Sequence, residues 1–180
     1  MSKRKATLAI ICEDTQQECF ARRFLYGMGW NHRQLRVVKS PSGRGSGDKW
    51  VKEKYARELS NYRQSHVKYA FLTIVDGDTF GVQGRIQQFD NKCIELEIPV
   101  RTPSDKAAMI VPTRNIETWI RFLEGNRVDE ISSYPKLRFE SDCQAAVDTL
   151  LSYCKGSGLP LEAPDSLNSA CVEFRTRIQQ

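Results

Sequence analysis

Histidine is almost missing from this chain: His32 and His66 are its only two. Neither stands at zinc-finger spacing from a cysteine, and the six cysteines (Cys12, Cys19, Cys93, Cys143, Cys154 and Cys171) form no C-x-x-C pair. Zinc-ribbon and thioredoxin-like chemistry are thereby set aside. Most of the thiols fall on apolar faces of expected elements, where cysteine acts as a small hydrophobe. No G-x-S-x-G elbow and no Cys/His nucleophile pair is present. The Gly-rich loop Ser40–Gly47 has no Lys-Ser or Lys-Thr after its glycines, which excludes a Walker nucleotide site. Long apolar runs are absent too. Behind the basic opening Met1–Lys5 the apolar run is only Ala9–Cys12, far short of the roughly 20 residues that a membrane span needs. A cytoplasmic chain without a signal peptide, its thiols reduced, is expected.

What is there suits a packed α/β core. The hydrophobic fraction is 40%, which argues against disorder. The basic excess is small, 27 Lys and Arg against 22 Asp and Glu, and admits nucleic acid without demanding it. Thr7–Cys12 reads as a strand buried on both faces. A helix over Gln16–Met28 carries Phe20, Phe24, Leu25 and Met28, and Gln34–Lys39 reads as a second strand. Asp48 reads as the N-cap of a helix bearing Trp50, Val51, Tyr55, Leu59 and Tyr62. Tyr69–Val75 is the strongest strand, followed by a helix with Val82, Ile86 and Phe89 on one face. Further strands are expected at Ile94–Val100 and Ala107–Val111, and helices at Asn115–Leu123, Asp142–Cys154 and Asp165–Ile178. Strand-helix alternation predicts a mostly parallel sheet flanked by helices, with a helical C-terminal tail. One domain is expected, its core over about 5–125 and its helical extension over about 126–180.

Two of the strands end in acids: Glu13-Asp14 after the first, and Asp76-Gly77-Asp78 after Tyr69–Val75. Ligands of parallel sheets bind outside the carboxyl ends of the strands. If these two strands are neighbours, Glu13, Asp76 and Asp78 converge, and a hard divalent cation would relieve their repulsion. Asp-Gly-Asp is also ordinary turn chemistry, and an Asp after a strand is often only a helix cap. The matching acid on the first strand favours the site.

The segments Leu8–Leu25 and Ala70–Phe89 resemble the Toprim domain, with its strand ending in Glu, a Phe/Arg/Leu-rich helix, and a later strand ending in Asp-x-Asp. Closer still is the look of small stand-alone Toprim-like proteins of bacterial defence loci, related to nucleases of the overcoming-lysogenization-defect type. Asn115-Ile-Glu-Thr-Trp-Ile120 matches the Ile-Glu-x-Trp flavour of their later helix start. The resemblance implies that Glu13 is a general acid/base or metal ligand and that Asp76 and Asp78 bind Mg²⁺ or Mn²⁺. Glu117 is a fourth candidate at the same edge. One departure concerns the first motif, where Asp14-Thr15 follows the Glu in place of Gly or Asn; Asp14 would cap the helix or join the metal. The implied activity is a metal-dependent nuclease cutting DNA or RNA phosphodiesters, in a phage-defence setting with an ATPase partner.

Arg44 and Lys49, in and after the Gly-rich loop, are candidate contacts to a phosphate backbone. Arg22, Arg23, Lys52 and Lys54 could widen a basic surface or simply face solvent. His32 and His66 read as loop residues, and Trp119 as core. Two other functions stay open. A non-catalytic Toprim-like subunit could bind or regulate an ATPase complex. A phosphatase of the haloacid dehalogenase kind is suggested by Asp76-Gly-Asp78, although that motif normally lies on the first strand and has Thr or Val where Phe80 stands.

Overall fold

The computed structural model describes residues 7–41 and 47–179. Four strands build one all-parallel sheet in the order β2-β1-β3-β4: β1 (Thr7–Cys12), β2 (Leu35–Lys39), β3 (Tyr69–Ile74) and β4 (Ala107–Ile110). Six helices accompany it: α1 (Thr15–Gly27), α2 (Gly47–Gln64), α3 (Gly81–Glu95), α4 (Ile116–Leu123), α5 (Gln144–Lys155) and α6 (Asp165–Arg177). The expected α/β class, parallel sheet and helical C-terminal part are present.

Alternation along each central strand sorts its side chains into two cores. Leu8, Ile10 and Cys12 join Ala70, Leu72, Ile74, Ala108 and Ile110 on the face covered by α1, α4, α5 and α6. Ala9 and Ile11 join Phe71, Val75, Ala107 and Met109 under α2 and α3. Burial on both faces is why β1 and β3 read as unbroken apolar runs. Register places Ile10 opposite both Val37 and Leu72. Because α1 leaves β1 onto one face and α3 leaves β3 onto the other, the chain parts between the two strands at their carboxyl ends. That is the topological switch point of an open α/β sheet, where a crevice forms.

Ile94–Val100 is not a strand. Ile94 continues α3, and Leu96 caps that helix by donating to the Cys93 and Lys92 carbonyls. Pro99 has no N–H for a ladder, and Arg63 takes the Pro99 and Val100 carbonyls at 2.6 and 2.9 Å while holding Asp105 through both carboxylate oxygens. Asp48 lies inside the first turn of α2 and does not cap it. On the far edge, Glu173 of α6 accepts the Met109 N–H at 3.0 Å and is itself held by Arg101 and Arg177, so the side of β4 is covered.

One buried serine ties the first of these cores together. Ser166 Oγ accepts from Trp119 Nε1 at 2.8 Å and from the Thr113 N–H at 3.2 Å. Ser166→Ala leaves both donors without their partner, and urea unfolding should register a loss of about 1–3 kcal/mol. Trp119 itself is core, as its place on the apolar stripe of α4 predicts. Among the described residues no helix is long and apolar enough to cross a membrane.

Candidate acidic site at the switch point

Glu13 follows β1 directly, and Asp76 and Asp78 follow β3. The pairing of Cys12 with Ile74 brings the two strand ends side by side. The loop Asp76–Asp78 is stitched to the segment after β4. Val75 N–H donates to the Ile110 carbonyl at 3.1 Å, Gly77 N–H to Pro112 at 2.7 Å, and Asp78 N–H to Arg114 at 3.0 Å. Asp78 (φ 46°) and its bridge partner Arg114 (φ 67°) both adopt the left-handed conformation. Such conformations are costly for non-glycine residues and cluster at working sites. Gly77 is required by the close approach: a Cβ there would lie 3.0 Å from the Pro112 oxygen and 3.3 Å from Thr113 Cα. Gly77→Ala should therefore lower stability by about 1–3 kcal/mol in urea unfolding.

Three helix amino ends surround these acids. Asp14 caps α1, its Oδ1 accepting from the Gln17 N–H at 2.9 Å. The start of α2 abuts Glu13: a Cβ on Gly47 would stand 3.8 Å from Glu13 Cβ. The first N–H of α4, on Ile116, donates to Asp76 Oδ1 at 3.1 Å. Helix amino ends favour negative charge, whether carboxylate or phosphate. Glu117, in the first turn of α4, is buried near enough for its charge to act on Asp76.

The electrostatics are those of crowded, half-dry carboxyls. Burial pushes Glu13 up to about 7; Arg85 opposes this, and the charges of Asp48, Asp78 and Asp14 add to it. Burial likewise carries Asp76 up to about 8 against the Gln17 side chain, with Asp14, Glu13 and Glu117 adding to the rise. Glu117 is raised as well, by burial first.

At the centre stands Arg85 of α3, only 2% exposed. Its Nε donates to the Asp76 carbonyl at 2.9 Å and its Nη1 to Gln88 at 2.8 Å. Its charge meets Asp48 at 2.6 Å, Asp78 at 3.4 Å and Glu13 at 3.7 Å. Among the described residues, no group of three or more His, Cys, Asp or Glu side chains is arranged to hold a metal ion. Glu13 and Asp78 instead turn their oxygens to the guanidinium, so this arrangement does not offer the one or two free carboxylates by which Mg²⁺ is usually held.

Of the residues singled out in the sequence, Glu13, Asp76, Asp78 and Glu117 therefore gather at one edge. Lys49 is exposed in the first turn of α2, beside Asp48. Arg44 lies outside the described residues. Asp14 serves as a cap. The wider basic surface is largely paired within its own helices: Arg22 with Glu18, Lys52 with Asp48, and Lys54 over the Trp50 ring. Arg85, Asp48 and Gln17 are the site residues that the sequence reading passed over. Compared with protein-family models, with curated proteins and with solved structures, the chain matches none.

Proposed function

We propose that the acidic switch point is the working site of a nucleic-acid phosphodiesterase of the Toprim type. One observation carries the reading: Glu13 and the Asp76-Gly-Asp78 loop meet at the carboxyl ends of adjacent parallel strands. A Glu13 carboxyl pushed up to about 7 divides between its two protonation states near neutrality, as a proton-transfer group should. It would take the proton of the attacking water or return one to the leaving oxygen. The amino ends of α1, α2 and α4 favour an anionic phosphate beside the carboxyls. Exposed Lys49 would contact the phosphate backbone beside the scissile bond, and Arg44 is the second candidate contact that the sequence offers.

Mg²⁺ or Mn²⁺ belongs to the proposal as the cofactor that the resemblance implies. With Glu13 and Asp78 held by Arg85, the chemistry assigned to the site is that of its side chains alone. An ATPase partner and a role in phage defence are likewise parts of the proposal. The testing experiment incubates the protein with supercoiled plasmid and with end-labelled single-stranded DNA and RNA, with added Mg²⁺ or with chelator. p-Nitrophenyl phosphate serves as a monoester control. Cutting of the polymers without monoester turnover supports the reading, whereas turnover of the monoester alone would move it to a phosphatase.

A further inference from the structure

We propose that a cavity between the sheet and helices α1, α5 and α6 binds a medium-chain carboxylate, its alkyl chain inside and its anionic head on Arg175. The cavity has a volume of about 260 Å³ and shares no lining residue with the acidic switch point. Its wall is apolar: Phe20 and Phe24 of α1, Leu72 of β3, Trp119 of α4, Leu150 of α5 and Phe174 of α6. Phe24 and Phe174 meet edge to face with ring centroids 5.3 Å apart, which joins α1 to α6 beside it. The Trp119 N–H is already taken by Ser166, so the indole asks for no polar partner there. Protein interiors are close-packed, and voids much larger than a water molecule are few. An apolar void stays dry and takes apolar guests, and one of about 150 Å³ holds a benzene molecule. Left empty, this larger one costs stability in proportion to its volume; a guest chain restores the missing contacts.

Where the cavity reaches solvent its lining turns polar, with Ser157, Arg175 and Gln179 all exposed. Arg175 is an uncommitted charge of α6. Its neighbour Arg177 is held by Glu173, whereas Arg175 Nε donates to the Cys171 carbonyl at 3.3 Å and its two Nη nitrogens have no partner among the described residues. A guanidinium takes a carboxylate through two parallel N–H bonds. The turn Gly156-Ser157-Gly158 is fixed by both glycine N–H groups, which donate to the Tyr153 carbonyl at 3.3 and 3.0 Å. It sets Ser157 at the same opening, where the hydroxyl is a further donor. An apolar body with a free cation at its mouth selects an anionic amphiphile over a neutral one. The volume limits the chain to about 8–10 carbons.

The test titrates the full chain calorimetrically with octanoate and with 1-octanol. Octanoate should bind at one site per chain and at least tenfold more tightly than octanol. At ten times its dissociation constant it should raise the melting temperature by about 3–6 °C. Arg175→Gln should lose at least tenfold in octanoate affinity and keep its octanol affinity. Ala170 lines the cavity, so Ala170→Leu fills part of it, and that variant should bind neither compound and melt no lower than the wild type. The proposal is overturned if octanoate shows no saturable binding, or if Arg175→Gln binds it as tightly as the wild type. Octanol bound as tightly as octanoate would overturn it too, in favour of a neutral occupant. So would a folded Ala170→Leu with undiminished octanoate binding. Arg175→Gln changes an exposed side chain and decides the matter even where Ala170→Leu does not fold. No nucleic acid enters these measurements, so their outcome stands apart from the proposed cleavage.

Discussion

Glu13→Gln is expected to lower phosphodiester cleavage by about 10²–10⁴-fold while leaving the protein folded and more stable above neutral pH. The two halves of this expectation come from one fact. Glu13 sits among Asp48, Asp78 and Asp14 and is partly buried, so its ionised form is held at a cost within the fold. An amide keeps the size and the hydrogen-bonding edge and removes the charge. A carboxyl kept only for packing would give a variant that is more stable and just as active. Loss of rate together with gain of stability identifies a group retained for chemistry. Single-turnover cleavage and thermal melting on the same samples check both halves.

The second large effect concerns pH. Asp76 rises from 3.8 to about 8 on folding, and Glu13 from 4.5 to about 7. The folded state thus holds these protons more tightly than the unfolded chain does. Their stabilisation is complete below the unfolded values and is lost as pH climbs through the folded ones. The melting temperature should therefore fall between about pH 5 and about pH 9. Each pKa unit is worth about 1.4 kcal/mol, and hydration of the partly exposed Asp76 carboxylate brings its expected share to on the order of 3 kcal/mol. Asp76→Asn should flatten the upper part of that fall and exceed the wild type in stability at the alkaline end. A wild-type melting temperature that does not change across this range would contradict the crowded-carboxyl description.

Much of this arrangement was legible in the residues. Tyr69–Ile74 and Thr7–Cys12 announced themselves because burial on both faces demands continuous apolar side chains, and acids placed directly after such runs mark strand ends. That β1 and β3 are neighbours was a condition of the argument, and their register meets it. Ile94–Val100 misled because Ile94, Leu96 and Ile98 alternate as a half-buried strand does, while the α3 cap and Pro99 decide otherwise. Arg85 and Gln17 were passed over although a signal was present. Arg85 shares an i, i+4 stripe with buried Phe89 and Cys93, and Gln17 shares one with Ala21 and Leu25. A polar side chain on the core stripe of a helix beside an acidic strand end is a site residue in waiting. Asp48 carried no such mark. Its role depends on α2 beginning against Glu13, which only the folded chain brings about.

The most direct test of the central claim compares wild type, Glu13→Gln and Asp78→Asn for cleavage of labelled DNA and RNA in the presence of Mg²⁺. Cutting by the wild type is expected, with at least a hundredfold loss in either variant and both variants remaining folded. Cutting that persists undiminished in both variants would place the chemistry elsewhere on the molecule. A wild-type chain that cuts neither polymer would remove the nuclease reading and leave the acidic switch point as a binding site.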